Sequence, residues 1–125
     1  MCIRDRIHAD NCPEMVLAWY ACARIGAVGV TTNTRSVANE VAYFAEHTKA
    51  VGAITQPQFA AMVAEAAPQL GWIVVTDDDS GEAAEASAPD SADSWADLHG
   101  DGASVPSRPA DPVSYTHLRA HETAT

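Results

Sequence analysis

The sequence predicts an α/β fold, a three-layer βαβαβ portion of a parallel sheet. Three observations predict it. Apolar residues at helical spacing alternate with short apolar runs from residue 7 to residue 76. The links between them are short, which favours parallel strands joined by right-handed crossovers. The last run, Trp72-Ile73-Val74-Val75-Thr76, is continuous and rich in β-branched residues, as expected of a strand covered on both faces.

The first helix is expected to open at Asn11-Cys12-Pro13-Glu14. Asn is a good N-cap, Pro fits the first turn, and Glu14 faces the positive end of the helix dipole. Met15, Leu17, Ala18, Ala21, Cys22 and Ile25 recur at helical spacing and predict a broad buried face. Gly26 follows, where a left-handed C-cap suits glycine. Val28 and Val30 flank Gly29 in a short strand, and Thr31 to Arg35 reads as a polar exit loop.

The second helix is expected to start at Ser36 as N-cap, with Val37, Val41, Phe44 and Ala45 as its apolar stripe and His47-Thr48-Lys49 as a basic last turn. His47 could serve as a general base, but no nucleophile or acid stands at a telling distance, and a capping role accounts for it. Ala50 to Thr55 reads as the next strand. Gln56-Pro57 begins a third helix carrying Phe59, Met62, Val63 and Ala66, and Pro68 ends it.

Asp77-Asp78-Asp79 follows the Trp72–Thr76 run. Three carboxylates at the carboxyl edge of a strand can hold Mg²⁺. The bland reading is the acidic start of a solvated loop. Ser80 to Ser94 supports the latter, because it is Ala, Ser, Glu, Asp, Gly and Pro with no large apolar side chain. Residues 77–113 are therefore read as one acidic Ala/Ser/Asp/Pro-rich loop. Within it Ser94 to Leu98 forms one helical turn, capped by Ser94 and pinned by Trp95 and Leu98.

Composition bounds the function. The chain has 125 residues, 47% of them hydrophobic, and a net charge of −10. That acidity argues against nucleic acid and anionic membrane as partners, since both select Lys and Arg. No apolar run approaches the roughly 20 residues of a membrane-spanning helix. Three cysteines without a C-x-x-C pair read as thiols in a reducing, cytoplasmic setting. Cys12 and Cys22 read as cap-region and core residues. No βα turn carries G-x-G-x-x-G or a Walker-type loop, which argues against a dinucleotide or P-loop site.

One stretch carries a resemblance. Asn11-x-Pro13-Glu14, an Ala-rich helix, Gly26-Ala27-Val28-x-Val30 and Asn33-Thr34-Arg35 resemble the N-terminal part of the adenylate-forming (AMP-binding) synthetases, acyl-CoA synthetases among them. Glu40, Tyr43 and His47 fit the same pattern, and Thr31 departs from it, since the family usually has Pro after the strand. The resemblance covers residues 7–76, with a weaker match at Ala110-Asp111-Pro112. It implies a strand before the first helix, so Ile7-His8-Ala9 reads as the end of one whose start was lost, with His8 an edge residue without chemistry.

The resemblance also implies an ATP-dependent acid–CoA ligase, of the kind used in fatty acid metabolism. The parent enzyme would use ATP, Mg²⁺ and CoA on a carboxylic acid substrate. The phosphate-binding loop and the catalytic lysine lie beyond this stretch in the family. At Ser114-Tyr115-Thr116 the loop should be starting, but His117-Leu118-Arg119 replaces its Ser-Gly-Thr core. No catalytic, cofactor-binding or metal-binding residue is therefore carried over, and the chain alone is expected to be inactive. Within the family, an amino-acid adenylation domain is the alternative. Outside it, the alternative is a stand-alone receiver-like or ligand-binding module with Asp77 to Asp79 as a magnesium pocket.

The two ends look foreign. MCIRDR (residues 1–6) and SYTHLRAHETAT (114–125) resemble translated sequencing-adaptor read-through. Both are read as non-native tails without packed structure. His117 and His121 have the i, i+4 spacing of metal ligands on a helix but lack a third ligand nearby.

Overall fold

The computed structural model describes residues 4–77 and 89–101. Five parallel strands form one sheet in the order β2-β1-β3-β4-β5. They are β1 (Arg4–His8), β2 (Val28–Thr31), β3 (Gly52–Thr55), β4 (Trp72–Val75) and β5 (Asp93–Ser94), with helices α1 (Pro13–Ile25), α2 (Ala38–Thr48) and α3 (Pro57–Ala66) between the first four. A 3-10 turn at Trp95–Leu98 follows β5.

The chain steps from β1 outward to β2, then back across β1 to β3 and on to β4 and β5. Right-handed crossovers put helices on opposite faces when the direction of travel reverses. The packing shows this. On one face Ile7, Ile54 and Val74 pack with Ala18 and Met15 of α1 and with Trp72 and Trp95. On the other, Ala53 and Ile73 pack with Val41 of α2 and with Phe59, Met62, Val63 and Ala66 of α3. The three layers expected from the sequence are present.

The helix ends follow local chemistry. Gly26 closes α1 at φ 75°, and the backbone N–H groups there reach the carbonyls of Ala23 and Cys22. Lys49 closes α2 in the same left-handed region at φ 53°. The N-caps fall one residue later than expected. Cys12 rather than Asn11 precedes α1, and Val37 rather than Ser36 precedes α2. At the latter the Glu40 carboxylate accepts from the Val37 N–H at 3.1 Å, so the acidic residue in the first turn satisfies the backbone in place of a hydroxyl.

Five further expectations are corrected. Residues 1–6 were expected to carry no packed structure, yet Arg4 to Arg6 form most of β1, paired with both β2 and β3. His8 is not an edge residue, since it ends a central strand and is fully buried. The backbone register set by Ile7, opposite Thr31 and Ile54, carries the preceding charged residues into the sheet with it. The 77–113 loop contains a strand, because Asp93 and Ser94 extend the sheet opposite Val74 and Val75. Two residues are too few to show a period in sequence. Of the turn's two anchors only Trp95 packs, and Leu98 is 54% exposed.

The buried face of α1 is the fifth correction. Only Ala18 and Cys22 are buried, while Leu17, Ile25 and Ala21 of the expected face are exposed.

Candidate functional site

In this strand order the chain leaves β1 and β3 toward opposite sides, which opens a crevice beyond their carboxyl ends; such crevices are where open α/β sheets bind ligands. Here it is built from His8, Ala9 and Asp10 after β1, Thr32 to Thr34 after β2, and Thr55-Gln56 at the end of β3.

Hydrogen bonds hold these loops together. The Thr55 hydroxyl donates to the His8 carbonyl at 2.7 Å, which ties β3 to β1 by a side chain as well as by the ladder. The Asp10 backbone N–H donates to Gln56 Oε1 at 2.8 Å, and the Thr34 hydroxyl donates to Asp10 Oδ1 at 2.6 Å. His8 Nδ1 lies 2.8 Å from Thr32 Oγ1, and the edge of its ring meets the Phe59 ring with centroids 5.1 Å apart. Three loops are thereby fixed to one another.

Electrostatics set the protonation of His8. Burial lowers its pKa, the Arg6 charge lowers it further, and Asp10 opposes them in part, leaving it at about 4. It is a neutral, ring-packed residue at neutral pH. Its Nε2 has no hydrogen-bond partner among the described residues.

Two open clefts flank the β2 exit. One, of about 380 Å³, is lined by Asp10, Asn11, Met15 and Thr31 to Thr34. The other, of about 530 Å³, lies on the α2 side and is lined by Val30, Arg35, Ser36, Glu40, Phe44 and Thr48 among others. The first contains a carboxylate and no cation, which does not suit a triphosphate. The second has one cation, Arg35, with Glu40 on the same wall. Neither of these two clefts fits ATP. Nor do three His, Cys, Asp or Glu side chains gather as a metal site among the described residues.

The other candidates are dispersed. Cys12 sits half-buried at the start of α1. Cys22 is buried against Asp5, with Sγ 3.8 Å from Oδ2, and burial followed by the Asp5 charge pushes its thiol up to about 11. His47 is exposed in the last turn of α2 and stacks on Tyr43 at 5.5 Å. Asp77 is exposed just past β4; Asp78, Asp79, Ala110 to Pro112, Ser114 to Thr116, His117 and His121 lie outside the described residues.

Sequence reading missed the roles of His8, Asp10 and Gln56. Their neighbourhood depends on β3 lying beside β1, an order that no local pattern encodes. The one usable signal was that Asp10 and Gln56 each stand just past a strand and just before a helix that opens with Pro13 or Pro57.

Known proteins support the same assignment. The profile of the AMP-binding enzyme family matches residues 6–117. Crotonobetaine/carnitine–CoA ligase of Escherichia coli is 37% identical over 75 residues, covering 57% of this chain and 14% of the ligase. Among solved structures, acetoacetyl-CoA synthetase from Streptomyces lividans superposes with a TM-score of 0.68 over 86% of this chain and 18% of its own, at 19% identity. Coronafacic acid ligase from Pectobacterium brasiliense gives 0.61 over 89% and 20% at 23% identity. The chain thus spans about one-seventh of the curated relatives it matches. The profile match covers most of the chain: the chain belongs to the AMP-binding enzyme family, the adenylate-forming ligases.

Proposed function

We propose that the chain is part of an ATP-dependent acid–CoA ligase of the AMP-forming type, and that it supplies scaffold rather than the reaction centre. The observation that carries this is the 37% identity to crotonobetaine/carnitine–CoA ligase across 75 residues. In the full polypeptide a carboxylate attacks the α-phosphate of ATP to give an acyl-adenylate and pyrophosphate, and a CoA thiol then displaces AMP. The part played here is positional. β1, β2 and β3 fix three loops through the Thr55, Gln56 and Thr34 hydrogen bonds, and the crevice they make has no cation to meet a phosphate.

The test is pyrophosphate release by the purified 125-residue chain given ATP, Mg²⁺, CoA and crotonobetaine or a fatty acid. No release above background is expected, and sustained turnover would refute the reading. A magnesium titration separates it from the stand-alone alternative. A saturable Mg²⁺ response abolished by Asp77→Ala would favour the latter.

A further inference from the structure

The sheet ends in two unlike edges. Among the described residues β2 and β5 are each paired on one side only. β5 is two residues long and exposed, and Asp90, Asp93 and Asp97 stand on it or beside it in sequence. A short, charged edge resists pairing with another chain. β2 is Val28-Gly29-Val30-Thr31, with no charge, no proline and no bulge in its register with β1. No acidic residue lies between Glu14 and Glu40, which flank it in sequence. An uncharged edge with free backbone groups is a template for an added strand.

The backbone fixes what that edge offers. The Thr32 N–H turns inward to the Ile7 carbonyl at 3.1 Å. Backbone groups alternate sides along a strand, so Val30 also turns inward to β1, while Gly29 and Thr31 present N–H and C=O outward. Side chains alternate between the two faces. A Cβ on Gly29 would meet Trp19 and Cys22 of α1, whereas Val30 stands opposite Arg6, whose side chain reaches α2. On that face Val30 lines the cleft of about 530 Å³ with Phe44 and Thr48.

We infer that β2 is a self-association edge whose occupant is β2 of a second copy of this chain, antiparallel about a two-fold axis at Val30. The arrangement is self-complementary, as a two-fold contact must be. Gly29 of each copy faces Thr31 of the other, and each such pair exchanges two N–H···O bonds. The two Val30 residues face each other as a non-hydrogen-bonded pair, the closer kind, and their side chains meet beside the cleft. Charge selects this pairing. Eleven of the seventeen acidic residues follow residue 76, past the end of β4. Joining two β2 edges leaves β5 of each copy at the far ends of one continuous sheet, whereas joining two β5 edges would bring carboxylates together. The inference rests on register and edge chemistry and not on the acid–CoA ligase reading, so the two can fail separately.

The test is sedimentation equilibrium of the full 125-residue chain over a range of concentrations. A reversible monomer–dimer equilibrium is expected. Thr31→Pro removes an outward donor and spares the inward ladder to β1. Val30→Lys sets two ammonium groups against each other. Both are expected to abolish the dimer and leave the far-ultraviolet circular dichroism unchanged. Leu17→Lys, on the exposed side of α1, is expected to leave the dimer in place. Should the β2 variants not fold, Val30→Cys still decides. Mild oxidation of that variant is expected to give a covalent dimer whose peptide map joins the two substituted positions. A chain that stays monomeric, a dimer that Leu17→Lys dissolves or Thr31→Pro spares, open-ended assemblies, or a covalent link through other cysteines alone would each overturn the inference.

Discussion

Strands β1 and β4 occupy equivalent places, since each is paired on both sides within the same parallel sheet. Their sequences could hardly differ more. β4 is Trp-Ile-Val-Val, and its alternate residues feed the two cores. β1 is Arg-Asp-Arg-Ile-His, with Asp5, Arg6 and His8 all buried. Successive side chains point to opposite faces, so Asp5 and Arg6 cannot neutralise each other. Asp5 turns toward Cys22 and α1. Arg6 turns toward α2, where it donates to the Val41 carbonyl at 2.6 Å and lies over the Phe44 ring. Asp5 Oδ1 and Arg6 Nε and Nη2 have no hydrogen-bond partner among the described residues. Burial pushes the Asp5 carboxyl pKa up and the Arg6 guanidinium pKa down, which means each charged form is disfavoured where it sits.

A strand's place is set by its neighbours. Ile7, the ladder to β3 and the α1 connection dictate where Arg4 to Arg6 run, whatever they are made of. The cost of that placement is local and removable. We propose on the same grounds that residues 1–6 are a non-native replacement for an apolar strand start.

The largest expected effect tests that point. Giving β1 the character of β4 by Asp5→Val with Arg6→Val should raise unfolding free energy by about 1–4 kcal/mol, since replacing buried, incompletely hydrogen-bonded charges by packed apolar groups is stabilising. Urea denaturation measures it, and a loss of stability would show that the two charges are compensated in solution. The converse damages the well-made side. Gly52 lies opposite Trp72, and a Cβ there would land within the indole. Gly52→Ala should therefore cost about 1–3 kcal/mol, the usual penalty of overpacking. A neutral result in the same assay would mean that Trp72 swings away freely.

A third effect depends on pH. The His8 pKa falls from 6.5 unfolded to about 4 folded. Between those values the unfolded chain binds the extra proton, so this contribution is complete above pH 6.5 and lost as pH falls toward 4. Asp5 acts with the opposite sign, because its raised pKa makes protonation favour the folded state. His8→Gln should flatten the decline in stability between pH 6.5 and 4 relative to the parent chain. An unchanged slope would place the titration elsewhere. The smallest effect is at α2, where removing the Glu40 acceptor by Glu40→Ala should cost about 0.5–1 kcal/mol as a lost cap.

The same contrast explains how much could be read from sequence. α3 and β4 were legible because Phe59, Met62, Val63 and Ala66 and the Trp72–Val75 run carry undisturbed periods. Gly26 was legible because its left-handed conformation selects glycine. β1 was not, because its charges oppose the period that its position requires. The face of α1 was misread for a related reason. An all-apolar helix has no polar side to mark which way is out, and the small Ala18 and Cys22, rather than the large Leu17, met the sheet. The crevice was invisible as a unit, since Asp10, Thr34 and Gln56 meet only once β3 crosses over to lie beside β1.

We propose that these residues build a sheet that supports chemistry performed elsewhere in a longer chain. Calorimetric titration of the purified chain with Mg²⁺–ATP tests it most directly. The account predicts no saturable heat at millimolar nucleotide; one-to-one binding with a micromolar Kd would contradict it.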